Sequence, residues 1–312
     1  MDASTKETST RAAQDEFEVS IVICTRNRCE HLRESLAQMA SIAVPEAWRV
    51  ELVVVDNGSS DGTRAVVEAA GLPNMPVRYV YEPKAGKAHA YGAGLAVAHG
   101  TVLLMTDDDT RVPRDWIEQM CRPILEGEGD AVQGGVTIAP HLERPWLRGV
   151  LRVWVAEVND PQYRPEGLVG ANMAVSRKAM TAVGPFNTSL GPGAVGFFED
   201  TAFGWALEAS GRRILYRPSA AVEHHFAADR LTLDAFLDSA RRMAASRAVV
   251  HSQMAPQPAP PRLYELLRNI PGLAFRACTQ AVRYVMGKQP DAGFVYYYYQ
   301  LCLWRALRTQ SA

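Results

Sequence analysis

The sequence predicts an α/β fold, with a mostly parallel central sheet, helices on both faces and a C-terminal helical extension. Three observations carry this expectation. From residue 17 onward, short apolar runs alternate with segments of helical spacing, the pattern of repeated β–α units. The runs VSIVICT and VELVVVD are apolar nearly throughout, as strands covered on both faces are. After residue 231 the strand signal stops and helical stripes take over.

The elements follow in order. VSIVICT (19–25) is the first strand, and Leu32, Leu36 and Met39 recur behind it at helical spacing. VELVVVD (50–56) is the second strand, and the helix after it is expected to close at Gly71 as a C′ glycine. VRYVYE (77–82) is the third strand, residues 87–99 form a helix ending before Gly100, and TVLLMT is the fourth strand. Pro113 suits the first position of the helix PRDWIEQMCRPIL, where its missing N–H costs nothing. AVQGGVTIA and LVGANMAVS read as strands, LRGVLRVWVAEV and RKAMTAV as helices. A glycine-rich stretch, FNTSLGPGAVGF, runs into a helix that stops at Gly211, and RRILYRPSAAVEHH returns as an extended segment. Thr232 is the expected N-cap of a helix whose stripe is Leu233, Phe236, Leu237 and Ala240. The proline-rich MAPQPAPPR (254–262) is a linker or stiff turn before further helices. The chain therefore divides into a disordered leader (1–16), an α/β domain (17–226) and a helical region (227–312).

Composition narrows the function classes. Lys+Arg is 33 against Asp+Glu 34, a net charge of −1 that gives no reason to expect nucleic acid as a partner. Hydrophobic residues at 47% suit a globular chain with a substantial core. The five cysteines are scattered, without CxxC or zinc spacing, which favours reduced thiols and the cytosol. MDASTKETSTRAAQDE lacks the apolar region of a secretory signal, and no apolar run reaches the ~18 residues of a membrane span.

The first four strands all end in polar residues: Thr25–Arg26, Asp56–Asn57, Glu82 and Asp107–Asp109. Ligands of open α/β sheets bind outside the carboxyl ends of the strands, so four such ends imply one site. Asp107, Asp108 and Asp109 repel one another unless a cation or strong donors neutralise them. At an extended strand end, residues i and i+2 share a side, so Asp107 and Asp109 can face one ligand while Asp108 turns away. Hard oxygen ligands suit Mg²⁺ or Mn²⁺, and such ions usually arrive with a phosphate-bearing substrate. Lys87 lies near a helix N-terminus, where free N–H groups attract anions. The adjacent acids Glu199 and Asp200 begin an apolar helix; one complements the dipole, and the pair also suits a general base. His224 or His225 could complete an aspartate site as a neutral imidazole ligand. No G-x-G-x-x-G fingerprint is present.

SIVICTRNR, VVVDNGSSDGT, GKAHA, LLMTDDD, VGANMAVSRKAM, VGPFN, FFEDTAFGWALEASGRR and YRPSAAVEHH occur in this order. Together they closely resemble the family 2 glycosyltransferases of GT-A fold, over residues 17–226. The resemblance implies transfer of a sugar from a nucleotide-diphosphate sugar, first of all a UDP-sugar, with a Mn²⁺ or Mg²⁺ cofactor. It assigns the nucleoside pocket to Thr25, Arg26, Arg28, Asp56 and Glu82, with Lys87 nearby. The D-x-D motif falls on Asp107, Asp108 and Asp109, with Asp107 toward ribose or metal-bound water and Asp109 a direct metal ligand. Asp200 of the Glu199–Asp200 pair is the expected catalytic base in an inverting displacement. His224 is the expected second metal ligand, with His225 beside it leaving the assignment open. Cys24 stands where the family usually has proline, and Ala90–Tyr91 where arginine–asparagine is commoner.

Two rival readings compete with this one. Haloacid-dehalogenase-like phosphatases also end a strand in aspartates, but Arg111 occupies the last position of their D-x-D-x-T/V pattern. The other is a catalytically idle domain that binds a nucleotide sugar or a partner protein, and the presence of every proposed acid counts against it. The segment DAGFVYYYYQLCLWRALRT (291–309) reads as a helix packed on the rest of the chain, or as an amphipathic helix resting on a membrane. The second option would suit a lipid-linked acceptor instead of a free glycan, and a cytoplasmic enzyme peripheral at the inner face of the membrane.

Overall fold

Every residue of β2 (Val50–Asp56) is buried, and so are six of the seven residues of β1 (Val19–Thr25). Their apolar side chains fill both faces, so neither strand can sit at a solvent-facing edge. The computed structural model describes residues 17–162, 167–253 and 290–310, with Phe275, Cys278–Gln280 and Val282 between them. The leader 1–16 and the linker 254–262 lie outside the described residues.

Eight strands form one sheet in the order β3-β2-β1-β4-β7-β6-β8-β5. The parallel half comprises β1, β2, β3 (Val77–Tyr81) and β4 (Val102–Asp107). Beyond β4, β7 (Asn172–Ser176) is antiparallel to both β4 and β6 (Ala131–Ile138), while β8 (Ile214–His224) runs parallel to β6. The connections are α1 (Cys29–Met39), α2 (Thr63–Glu68), α3 (Lys87–Val97), α4 (Trp116–Leu125), α5 (Val150–Trp154), α6 (Arg177–Val183) and α7 (Glu199–Ala209). One apolar layer packs α1, α2 and α4 on one side of the sheet; the other packs α3, α6 and α7 on the opposite side. Strand order reverses between β1 and β4, and at such a switch point a crevice opens at the carboxyl ends. Register sets Cys24 beside Asp107 and Thr25 beside Asp56, so the polar strand ends lie at one level.

Several local expectations give way. The helix after β2 ends at Glu68 with Ala69 as its right-handed cap, so Gly71 is no C′ glycine. The helix assigned to Pro113 starts at Trp116, because Pro113 instead accepts the Trp116 N–H in a preceding turn. Of LRGVLRVWVAEV only Val150–Trp154 is helical, and Val158 pairs with Val136 as an isolated bridge. LVGANMAVS becomes strand only from Asn172. By contrast, α7 does stop at Gly211, which takes the left-handed φ of 75° that glycine adopts without strain.

The C-terminal helices are α8 (Leu233–Gln253) and α9 (Ala292–Gln310). Thr232 caps α8, its hydroxyl accepting the Ala235 N–H. Phe236 and Ala240 of α8 share a buried cluster with Val295 of α9 and with Leu147, Leu151 and Trp154 around α5. The aromatic segment of α9 therefore packs on the protein, with Phe294, Tyr298 and Tyr299 against that cluster and Tyr296 exposed.

Candidate functional site

The aspartate triplet does not continue a strand. β4 ends at Asp107, Asp108 and Asp109 form a turn, and β5 (Thr110–Arg111) returns antiparallel to β8. The separation of Asp108 from its neighbours is thus made by the turn and not by strand alternation. β5–β8 pairing sets Thr110 opposite His224, and the Asp109 carbonyl accepts the His225 N–H at 2.7 Å. These backbone bonds carry His224 to the aspartates across more than a hundred residues of sequence.

One ligand atom from each of Asp107, Asp109 and His224 lies within 4.8 Å of the others. His224 Nδ1 is 2.9 Å from the Val155 carbonyl oxygen, which can only accept, so Nδ1 carries the proton. In the neutral ring Nε2 is then a bare lone pair. It faces Asp109 Oδ1 at 3.4 Å, longer than the 2.7–2.9 Å of a charge-assisted hydrogen bond. Asp109 Oδ1 is buried and has no hydrogen-bond partner. Two buried acceptors aimed at each other, with a second carboxylate, Asp107, beside them, form the donor set of a small hard cation such as Mn²⁺ or Mg²⁺. The residues present fit the ion that the sequence implied. His225 points elsewhere: its ring pairs with Glu223 at 3.2 Å and lies near His141.

The floor of the site is a charge network. Thr25 Oγ1 donates to Asp108 Oδ2 at 2.7 Å, and Arg28 Nη1 bridges Asp108 Oδ1 at 3.0 Å and Asp109 Oδ2 at 2.9 Å. Burial, then the charge of Asp109, push Asp108 up to about 6. Burial acts on Asp109 too, and the Arg28 guanidinium acts against it and favours the ionised carboxylate. Lys87 Nζ reaches Asp107 Oδ1 at 2.5 Å, and this charge, against the opposing effect of burial, keeps the ammonium well above its ordinary pKa.

Around this network opens a cleft of about 540 Å³, the size of a typical small-molecule site. Thr25, Arg26, Arg28, Lys87, Asp107, Asp108, Asp109 and His224 line it. Asp56, Glu82, Glu199 and Asp200 do not. Asp56 accepts the Tyr79 hydroxyl and the Ser59 N–H, both at 2.8 Å, and Glu82 accepts the Lys84 N–H. The start of α3 is not free for an anion throughout, because Asn57 Oδ1 accepts the Gly86 N–H and Pro192 O the Lys87 N–H.

Glu199 and Asp200 open α7 after Phe198, a non-glycine residue held at a left-handed φ of 75°. Such backbone costs of order 1–3 kcal/mol, and strain of this kind gathers at functional sites. Asp200 is held by the Gly170 N–H on one oxygen and the Thr201 N–H on the other, each at 2.6 Å. Glu199 is buried against Gly191, where an added Cβ would come 2.7 Å from its carboxyl carbon. Burial, then the neighbouring Asp200, raise Glu199 to about 8.

The site also contains residues to which no sequence motif pointed. Pro192, Gly193, Gly196 and Phe197 roof the cleft, with Phe197 N–H bonded to Ser246 of α8. Arg230, Asp238, Ser239 and Arg242 line its far wall. Their only sequence signal is an α8 face with charged residues beside the apolar stripe, which reads as ordinary helix surface. The Tyr91 hydroxyl is buried without a partner, and an added Cβ at Gly170 would lie 3.0 Å from it, 3.2 Å from Asp200 Oδ2 and 3.3 Å from Lys87 Nζ.

Comparison with known proteins gives a consistent family. The family model described as Glycosyl transferase family 2 matches residues 20–183, and that of Glycosyl transferase family group 2 matches residues 102–308. The succinoglycan biosynthesis protein ExoM of Rhizobium meliloti is 30% identical over 226 residues, covering 69% of each chain. The poly-beta-1,6-N-acetyl-D-glucosamine synthase of Staphylococcus aureus is 24% identical over 216 residues, 66% of this chain but half of the synthase. Among solved structures, the mannosyltransferase PcManGT from Pyrobaculum calidifontis, in complex with GDP-Man and Mn²⁺, superposes with a TM-score of 0.64. It shares 19% identity, over 95% of this chain and 88% of that one, a likeness of fold.

Proposed function

We propose, from the premise that this chain belongs to glycosyl transferase family 2, that its cleft transfers a sugar with inversion and depends on a divalent cation. Membership makes the chain a glycosyltransferase of GT-A fold that draws on a nucleotide sugar. The observation that carries the finer reading is the facing pair His224 Nε2 and Asp109 Oδ1, buried at the strand-order switch with Asp107 beside it.

Asp107, Asp109 and His224 would hold the ion, Mn²⁺ or Mg²⁺. When bound, it supplies electrostatic stabilisation of the charge that grows on a departing diphosphate. Thr25, Arg26 and Arg28 lie where the nucleoside end of the donor would rest, with Asp56 and Glu82 a layer behind. Asp108 orients Arg28 and Thr25 and keeps the floor of the site rigid. Lys87 adds positive charge beside Asp107.

An acceptor hydroxyl oxygen attacks the anomeric carbon from the face opposite the diphosphate. The bond from that carbon to the phosphate oxygen breaks, and its electron pair leaves with the nucleoside diphosphate. Asp200 takes the hydroxyl proton, its carboxylate held in place by the Gly170 and Thr201 amides, while Glu199 supports the turn beneath it. The loop 191–197 covers the cleft and excludes water, which competes as acceptor. A UDP-sugar is the donor we expect, and a GDP-sugar the next choice given the fold shared with a GDP-Man-bound enzyme.

The relatives named for succinoglycan and poly-N-acetylglucosamine synthesis support a growing polysaccharide or lipid-linked glycan as acceptor. Work on such an acceptor would place the enzyme at the inner face of the membrane. The contact we propose there is peripheral; no helix among the described residues is long and apolar enough to cross a membrane. A thermal-shift panel of UDP, GDP, dTDP and CMP with Mn²⁺ tests the reading, because a ligand that binds only the folded state raises its melting temperature. One nucleotide should shift the transition and EDTA should remove the shift; a panel without any shift refutes it.

A further inference from the structure

Four basic side chains stand close to the cation centre or across the cleft from it, and three are neutralised by protein carboxylates. Arg28 pairs with Asp108 and Asp109, Lys87 with Asp107, and Arg242 with Asp238 at 2.8 Å. Arg230 is different. Among the described residues its guanidinium has no ion pair and no hydrogen bond, although it lines the same cleft. Arg26, the other cleft cation without a pair, is exposed at the rim.

The position of Arg230 is fixed. Its guanidinium lies 5.1 Å from the centre of the Phe226 ring, and that buried ring packs edge-on to His224 at 5.0 Å. Arg230 is thereby tied, through one aromatic ring, to the histidine facing Asp109. Burial lowers its pKa, and the charges of Asp109 and Asp107 act against that effect. Arginine stays charged in proteins. A half-buried guanidinium with five unused donors is unfavourable unless an anion completes it, and its planar fork matches phosphate oxygens two at a time.

We propose that Arg230 grips the diphosphate of the donor in the cleft it shares with Asp107 and Asp109, so that the helical region after β8 supplies part of the donor site. This rests on reading the cleft as a nucleotide-sugar site. Arg230 contacts the leaving group and balances the negative charge that group gains as the anomeric bond breaks. It also accounts for a half-buried cation left unpaired beside Arg28, Lys87 and Arg242, which are paired.

The test uses the full chain with Mn²⁺, titrated with UDP and UMP, with GDP and GMP, and with inorganic pyrophosphate. Arg230→Met keeps an aliphatic stem over Phe226 and removes the charge; Arg230→Lys keeps the charge without the fork. Arg230→Met should weaken binding of the preferred nucleoside diphosphate and of pyrophosphate by about 10- to 100-fold, as loss of a charge-assisted contact does, and leave the monophosphate within about twofold. Arg230→Lys should recover part of the loss, which a merely structural role would not produce. Diphosphate affinity unchanged in both variants, or equal losses for mono- and diphosphate, overturns the role of Arg230 alone. A defect confined to the acceptor KM overturns it equally and points to an anionic acceptor. Wild-type protein that binds none of these nucleotides refutes the donor reading, and the role of Arg230 with it.

Discussion

His224 and Asp109 meet as two acceptors: Nε2 of one faces Oδ1 of the other at 3.4 Å, while Nδ1 of the ring is committed to the Val155 carbonyl. A metal-ligating histidine is usually oriented through its second nitrogen in this way. His224→Ala should therefore raise the Mn²⁺ concentration needed for donor hydrolysis by at least about 10-fold, the lower end of what even orienting partners contribute. An unchanged Mn²⁺ dependence would remove His224 from the cation site. His225→Ala, a change to a ring paired with Glu223, should leave that dependence alone.

Asp200 is held by two backbone amides, so its replacement by asparagine changes charge with little change of shape. Asp200→Asn should slow transfer by about 10²–10⁴-fold, the usual contribution of a positioned base. Nucleoside-diphosphate binding, followed by thermal shift, should stay near wild type. Full turnover in this variant would exclude Asp200 as the base.

Glu199 carries a pH prediction. Its pKa is raised from 4.5 to about 8 by burial and by Asp200, so between those values the native state holds a proton that the unfolded chain has released. Stability then falls as pH rises through this window and levels off above it. Glu199→Gln mimics the protonated form and should flatten the dependence. Melting temperatures at pH 5.5 and 8 should differ less in the variant than in the wild type; an equal difference counts against the raised pKa.

Asn172 joins the two halves of the sheet. It is fully buried, accepts the Trp116 indole N–H at 2.9 Å and donates to the Gly135 and Ala220 carbonyls at 2.7 Å each. Asn172→Leu strands a buried donor and two buried acceptors, at about 1–3 kcal/mol for each group left unpaired. The urea midpoint should fall well below that of wild type with an unchanged m-value. A loss under about 1 kcal/mol would mean that water replaces the amide.

Much of the fold was legible because burial is written locally. Continuous apolar runs mark β1 and β2, and the recurrence of Leu32, Leu36 and Met39 marks α1, since each depends only on which faces one element buries. Boundaries were less legible. Pro113 and Gly71 carry strong helix-end preferences, yet a turn at 113–116 and an early stop at Glu68 prevailed. Propensity is a weak prior that packing overrides.

The site divides along the same line. By itself the sequence determined that Thr25, Asp56 and Asp107 end parallel strands at one rim, because strand order and direction follow from repeated β–α units. It also determined the family, through motifs kept in order along the chain. Only the tertiary structure decided that Asp107–Asp109 is a turn, that His224 and not His225 faces Asp109, and that Arg230 and Arg242 of the C-terminal region border the same cleft. Those outcomes depend on β5–β8 register and on the packing of α8 against the loop 191–197. Hydrophobic periodicity records which face an element buries; it holds no information on which distant residue that face will meet.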